Sequence, residues 1–234
     1  MEKVFIKAVY SRPFAISKSL KAQFDKISDR VGLISTVQFS NLLPEIKKEL
    51  ENLGKEVYVS GDGIILGCNS INAEKIADKV DAFLYVGSGK FHPLQMALRL
   101  EKKKRIYILH PQAEEIYELD WNEIDAFKVR REVVKAKALS SDKLGLLVSI
   151  KPGQSNLFSA LKFKEKFENA KKSEDFWRAE NHEIFKHRVK KAYIFLFDNF
   201  DETQVENWQD LVYVNTACPG LALDQKFANL SDLR

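Results

Sequence analysis

The 234-residue chain has two cysteines, Cys68 in "ILGCN" (65–69) and Cys218 in "VNTACPG" (214–220), and each stands just past a short apolar run. A thiol at such a place either fills the core as a small hydrophobe or is held at a strand tip to bind something. Two further polar segments also follow apolar runs. "GSGKFHP" (87–93) places Gly87, Ser88 and Gly89 ahead of a helix, with backbone N–H groups suited to an anion, and adds His92. "KPGQ" (151–154) adds Gln154. Each has a plainer reading. "GSGKFHP" lacks the spacing of a P-loop, His92 before Pro93 can simply cap the helix, and Pro152-Gly153 is a turn pair. His110, also before a proline, and His182 and His187 on a charged stretch read as structural or exposed.

These segments are positioned by alternating strand and helix patterns. Apolar spacing predicts helices over 14–30, 41–54, 72–80, 93–104 and around 121–141, with Gly54 ending the second and Asn72 capping the third. Between them, 31–39, "EVYVS", "GIILG", "DAFLYVG" and "RIYIL" read as strands. The pattern then restarts. "VGLISTV" (31–37) recurs as "LGLLVSI" (144–150), and "FLYVGSG" (83–89) recurs as "LVYVNTA" (211–217), with Tyr85 set against Tyr213. Helices around "NLFSALKFKEKFENAKK" and "HEIFKHRVKK" and the strand "AYIFLF" lie between. Strands apolar on both faces imply parallel sheets covered on both sides. The expectation is two related parallel-sheet αβα domains, 1–140 and 141–234, with one cysteine each. In such sheets ligands lie at the carboxyl ends of the strands, where all four polar segments fall.

Composition narrows the class. The chain is 45% hydrophobic and 30% charged, with a net charge of +4, so its basic character is mild. "EKKKR" (101–105) and "KFKEKF" (162–167) read as solvated helix faces, not nucleic-acid patches. The longest apolar runs are strand-sized, and "MEKVFIKAVYSRPF" has a lysine within its apolar stretch and no cleavage site, so neither a membrane span nor a signal peptide is expected. Two distant cysteines make no disulfide framework, which predicts a reducing, cytoplasmic location.

With its four polar segments in order, the chain resembles the diphthamide synthase family, the 3-amino-3-carboxypropyl transferases of diphthamide biosynthesis. The resemblance is carried by "STVQF" (35–39), "ILGCN" (65–69), "YVGSGKFHPLQMAL" (85–98), "VRREVVKAKA" (129–138), "GLLVSIKPGQ" (145–154) and "VNTACPGLALD" (214–224). It implies three similar α/β domains, each giving one cysteine to a single 4Fe–4S cluster. S-adenosylmethionine binds at the open iron and is cleaved reductively, and the resulting 3-amino-3-carboxypropyl radical attaches to a histidine of elongation factor 2. Thiolates are the standard ligands of such clusters. By resemblance, Cys68 and Cys218 are the cluster ligands of the second and third domains. Gln154 and the "GSGKFHP" loop, with Gly87, Ser88, Gly89 and His92, face the S-adenosylmethionine pocket.

Two departures from the family stand out. The first domain, with its cysteine, has no counterpart here, and Gly220 stands where the family has an arginine after Cys-Pro. Arg130 or Arg131 is the candidate replacement cation, and Arg131 is counted with the cofactor-binding residues. The expected assembly is therefore a split enzyme acting in the cytoplasm on elongation factor 2, with a partner chain supplying the third cysteine; the electron donor is not identified, and no membrane or nucleic acid is involved. Two alternatives stay open: a non-catalytic subunit or degenerate paralogue that binds the catalytic partner or elongation factor 2, and a generic α/β small-molecule binder whose cysteines are core residues.

Overall fold

The computed structural model describes residues 9–11, 14–100, 103–169, 190–205, 207–218 and 227–233. The chain divides into two compact units, residues 1–127 and 128–234. In the first, α1 (Lys18–Phe24) starts where the Ser17 hydroxyl accepts from the Leu20 N–H at 3.2 Å. The strand β1 (Arg30–Ser35) leads through a 3₁₀ turn over Val37–Leu42 into α2 (Leu43–Asn52), which Gly54 terminates at φ 79°. Then come β2 (Glu56–Tyr58), α3 (Ile71–Glu74), β3 (Ala82–Val86), α4 (Phe91–Arg99), β4 (Arg105–His110) and β5 (Glu115–Glu118). The sheet order is β2-β1-β3-β4-β5, with the first four strands parallel and β5 antiparallel to β4.

Side chains alternate along the central strands, so the sheet buries a cluster on each face. Val31, Leu33, Leu84 and Leu109 meet Leu20, Phe24, Ile46 and Leu50 from α1 and α2. Ile34, Phe83, Tyr85 and Ile108 meet Ala73, Leu94, Met96, Ile124 and Phe127 on the other side. This is the expected two-sided covering.

The long helix α5 (Trp121–Ser140) runs through the division between the units. Ile124 and Phe127 belong to a core of the first unit, while Val134 and Ala138 belong to a core of the second. The division thus falls at 127/128, inside the helix, and not near 140 where the helix ends. The second unit continues with β6 (Lys143–Ser149), α6 (Leu157–Asn169), β7 (Lys191–Phe197), β8 (Val212–Asn215) and β9 (Ala228–Asn229). Its sheet order is β7-β6-β8-β9, all parallel. Leu144, Leu146, Val148 and Val214 pack with residues of α5 and α6. The opposite face carries Leu147, Tyr213, Phe195 and Phe197 with Val205 and Leu211.

The internal repeat is structural: β1 pairs with β3 as β6 pairs with β8. Its register differs from the one read off the tyrosines. Gly32 stands opposite Phe83, and Gly145 opposite Tyr213. A Cβ on either glycine would meet that ring at 2.6 Å or 2.5 Å. Tyr213 is therefore the counterpart of Phe83, two residues before Tyr85, an offset that leaves both faces unchanged.

Several local expectations are corrected. "GIILG" is not a ladder strand; only Ile64 and Leu66 form single bridges. Asn72 does not cap its helix: Ser70 is the N-cap residue, and the Asn72 amide ties the preceding loop to Asp62 and the Ile64 carbonyl. The strand β5 follows a turn in which Glu114 takes φ 52° and His110 Nδ1 accepts from the Ala113 N–H. His110 is thus structural. The expected helix around "HEIFKHRVKK", with His182 and His187, lies outside the described residues. No helix among the described residues is long and apolar enough to cross a membrane.

Candidate functional site

In each sheet the chain moves first to one side of a central strand and then to the other, which opens a crevice at the carboxyl ends of that strand pair. In the first unit the pair is β1 and β3; in the second it is β6 and β8. The polar segments cluster there.

After β3 the chain enters the loop 87–90 and then α4. Gly87 is buried and Ser88, Gly89 and Lys90 are exposed, with Gly89 at φ 76°. Gly87 has no substitute, because a Cβ there would lie 2.5 Å from the Tyr85 hydroxyl. That hydroxyl stands 3.4 Å from His92 Nδ1, and the two rings stack with centroids 6.2 Å apart. Burial pushes the Tyr85 phenol up to about 12 and lowers the His92 pKa. His92 is therefore a neutral imidazole held by Tyr85, not a free helix cap. Thr36 Oγ1, at the end of β1, is near enough to temper the Tyr85 shift but is buried without a hydrogen bond of ordinary geometry.

Cys68 reaches this crevice from the loop that follows β2. Ile64 bridges Ser35, with Ser35 N–H donating to Gly63 O at 2.9 Å and Ile65 N–H donating to Ser35 O at 2.8 Å. The chain then turns tightly between Leu66 and Asn69, whose backbones exchange hydrogen bonds of 2.8 and 3.0 Å. Gly67 and Cys68 are the two residues of the turn tip. Gly67 is buried under the Phe91 ring, which a Cβ would meet at 2.4 Å, and Cys68 is exposed. The turn that presents Cys68 is thus seated on the first residue of α4.

In the second unit, "KPGQ" forms a turn closed by Gln154 N–H to Lys151 O at 3.1 Å, with Pro152 and Gly153 at its centre and Gly153 at φ 79°. Proline second and a positive-φ glycine third make it a type II turn, as the plain reading has it. It also leaves Gln154 exposed at the crevice edge. Opposite, Thr216 N–H and Oγ1 both donate to Leu147 O, at 3.0 and 2.8 Å. Asn156 Nδ2 donates to Thr216 O at 2.7 Å. Asn215 closes the loop that ends in Cys218: Oδ1 accepts from Ala217 N–H at 2.9 Å and Nδ2 donates to Cys218 O at 2.9 Å. Cys218 is exposed.

Both cysteines are free and exposed, so the reading of them as core residues falls. They do not, however, occupy equivalent tips. Cys218 follows β8, the partner of β3, whereas Cys68 lies in the connection after β2 on the other side of β1. Exposed free thiols are the donor type that an iron–sulfur cluster takes. Among the described residues no three His, Cys, Asp or Glu side chains gather at one point, so a complete ligand set is not present. Arg131 is engaged: its Nε donates to Asp232 Oδ2 at 2.8 Å and its NH2 group pairs with Oδ1. The Asp232 carboxylate raises the Arg131 pKa and occupies the fork expected to serve a ligand. Gly220, where the family arginine would stand, lies outside the described residues. Thr36 and Asn215 were not singled out from sequence, and Tyr85 entered only as a match in the internal repeat. Asn215 carried a usable signal, since asparagine at a strand end commonly bonds the backbone two residues on.

A family model described as "Putative diphthamide synthesis protein" matches residues 4–181. The 2-(3-amino-3-carboxypropyl)histidine synthase of Pyrococcus horikoshii is 27% identical over 209 residues, covering 86% of this chain and 54% of that protein. Subunit 1 of the Neurospora crassa synthase is 24% identical over 208 residues, covering 85% of this chain and 41% of that protein. This chain thus spans about half the length, or less, of these curated relatives. The crystal structure of Dph2 from Pyrococcus horikoshii with 4Fe-4S cluster superposes with a TM-score of 0.70 at 24% identity, over 92% of this chain and 59% of that one. That likeness establishes the shared fold. With the family model covering most of the sequence, and the motifs placed at the two crevices, this chain belongs to the diphthamide synthesis protein family.

Proposed function

We propose that this chain is the C-terminal part of a split 3-amino-3-carboxypropyl transferase that acts with S-adenosylmethionine on a histidine of elongation factor 2 in the cytoplasm. The observation that carries the reading is the state of the only two cysteines: both are free and exposed on constrained loop tips, where a core role would have buried them. Cys68 and Cys218 each give one thiolate to a 4Fe–4S cluster, and a partner chain with a related domain gives the third. When bound, the cluster supplies an open iron and the electron that cleaves the sulfonium. This chain's residues bind and orient. Gln154, on its rigid turn, and the exposed residues Ser88 and Gly89 of the 87–90 loop hold the amino-acid end of S-adenosylmethionine. His92, neutral and steadied through Nδ1 by Tyr85, offers a hydrogen bond from a fixed ring. With Arg131 paired to Asp232, the cofactor carboxylate relies on these neutral donors.

The test is anaerobic co-expression with candidate partners, followed by iron and sulfide analysis and transfer of labelled S-adenosylmethionine to elongation factor 2. The expected result is one brown, oxygen-sensitive complex that loses its iron and its activity when Cys68 or Cys218 becomes serine. Separate, iron-free chains with every partner, or activity unchanged in both serine variants, sink the proposal.

A further inference from the structure

Cys218 poses a physical problem that Cys68 does not. The Cys68 turn is closed by two backbone hydrogen bonds and pinned by Phe91, whereas Cys218 stands three residues beyond the end of β8. A metal ligand on a loose tail loses affinity, because the loop must be ordered each time it binds. We propose that Asn215 is the positioning residue of Cys218: its buried amide fixes the backbone that carries the thiol. This inference rests on the reading of Cys218 as a cluster ligand.

Asn215 is the last residue of β8 and is 1% exposed. Its carboxamide makes three hydrogen bonds, each of ordinary length. Oδ1 accepts from Ala217 N–H at 2.9 Å, and Nδ2 donates to Cys218 O at 2.9 Å and to Asn229 Oδ1 on β9 at 2.8 Å. The side chain therefore grips the loop at two successive residues and anchors itself to the neighbouring strand. Thr216, held by Leu147 O and by Asn156, fixes the residue between. The Cys218 carbonyl is thereby held while its thiol stays exposed. Close substitutes do not suit the place: aspartate lacks the two donors and would set a carboxylate oxygen against Cys218 O, and leucine, of similar size, would leave the buried Asn229 Oδ1 unpaired and release both loop contacts.

The role is separable from simple strand joining. Asn215→Ser keeps an acceptor for the Ala217 N–H but cannot reach Cys218 O. Asn215→Asp keeps the same acceptor and repels that carbonyl. Asn229→Ala removes only the β9 anchor and leaves the grip on Cys218. In a Cys68→Ser background, a nitroxide attached to Cys218 reports the mobility of its backbone by electron paramagnetic resonance. The expected result is a more mobile label in Asn215→Ser and Asn215→Asp and a wild-type line shape in Asn229→Ala. Equal mobility in all four proteins, or equal loosening in Asn229→Ala, overturns the inference. With both cysteines restored, the Asn215 variants in the assembled complex should hold iron about 10- to 100-fold more weakly than wild type. Wild-type retention in a variant with a loosened label likewise overturns it. Absence of iron from the wild-type complex counts against the cluster reading instead, and the label still decides what Asn215 holds.

Discussion

The contact between Gly67 and Phe91 joins the Cys68 turn to the helix that carries His92, and a single methyl group tests it. Gly67 is not among the positive-φ glycines, so alanine costs little in backbone terms there. Its Cβ, however, would lie 2.4 and 2.6 Å from two carbons of the Phe91 ring. Carbon pairs settle near 3.5–4.0 Å, so the ring must withdraw by about 1 Å or the turn must open. Overpacking of this kind costs about 1–3 kcal/mol. Phe91 is only half buried, which favours the lower end, but its ring also packs edge-on against His92 with centroids 5.2 Å apart. Denaturant unfolding of Gly67→Ala, Phe91→Ala and the double variant isolates the contact. We expect Gly67→Ala to cost about 1–3 kcal/mol alone and under about 0.5 kcal/mol once the ring is gone. Peptide-level alkylation should show a changed Cys68 rate in the single variant, with Cys218 unchanged as the internal reference. An equal cost in both backgrounds, or none in either, refutes the idea that Phe91 seats the cysteine turn.

Three further outcomes follow from charge. Because burial holds the Tyr85 phenol at about 12 against 10.0 when unfolded, stability is full below pH 10 and falls by about 2 kcal/mol as pH rises to 12; the difference in unfolding free energy between Tyr85→Phe and wild type should trace that fall. His92 is shifted the other way, so its neutral form is favoured and stability declines as pH drops below about 6.5, a decline that His92→Gln should lessen in acid melts. Asp232 is nearly buried against Arg131, and Asp232→Asn should cost on the order of 2–3 kcal/mol by removing the carboxylate that both hydrogen-bonds and charge-pairs the guanidinium. Arg131→Met with Asp232→Asn should recover part of that loss in a double-mutant cycle; strict additivity would show that the pair contributes nothing.

The two-unit α/β organisation was legible because parallel strands buried on both faces leave unbroken apolar runs, and because "VGLIS" and "LGLLVS" repeat one element order. The candidate site was legible as four segments, since glycine, proline and cysteine past strand ends mark where a parallel sheet opens. What chain order could not supply was contact. The antiparallel β5 was missed because "EIYE" is short and lies just ahead of a long helical pattern, and it exists by pairing with β4. The Tyr85–Tyr213 match was persuasive in letters but two residues out of register, because Gly32 faces Phe83 as Gly145 faces Tyr213. Arg131 looked free until Asp232, 101 positions later, folded onto it. Residue type thus determined that two thiols, a histidine and a glutamine stand at crevice edges. Tertiary structure alone decided that the thiols are exposed, that Phe91 and Asn215 hold them, and that Tyr85 steadies His92, because each of these is a packing or hydrogen-bond relation between side chains and their neighbours in space.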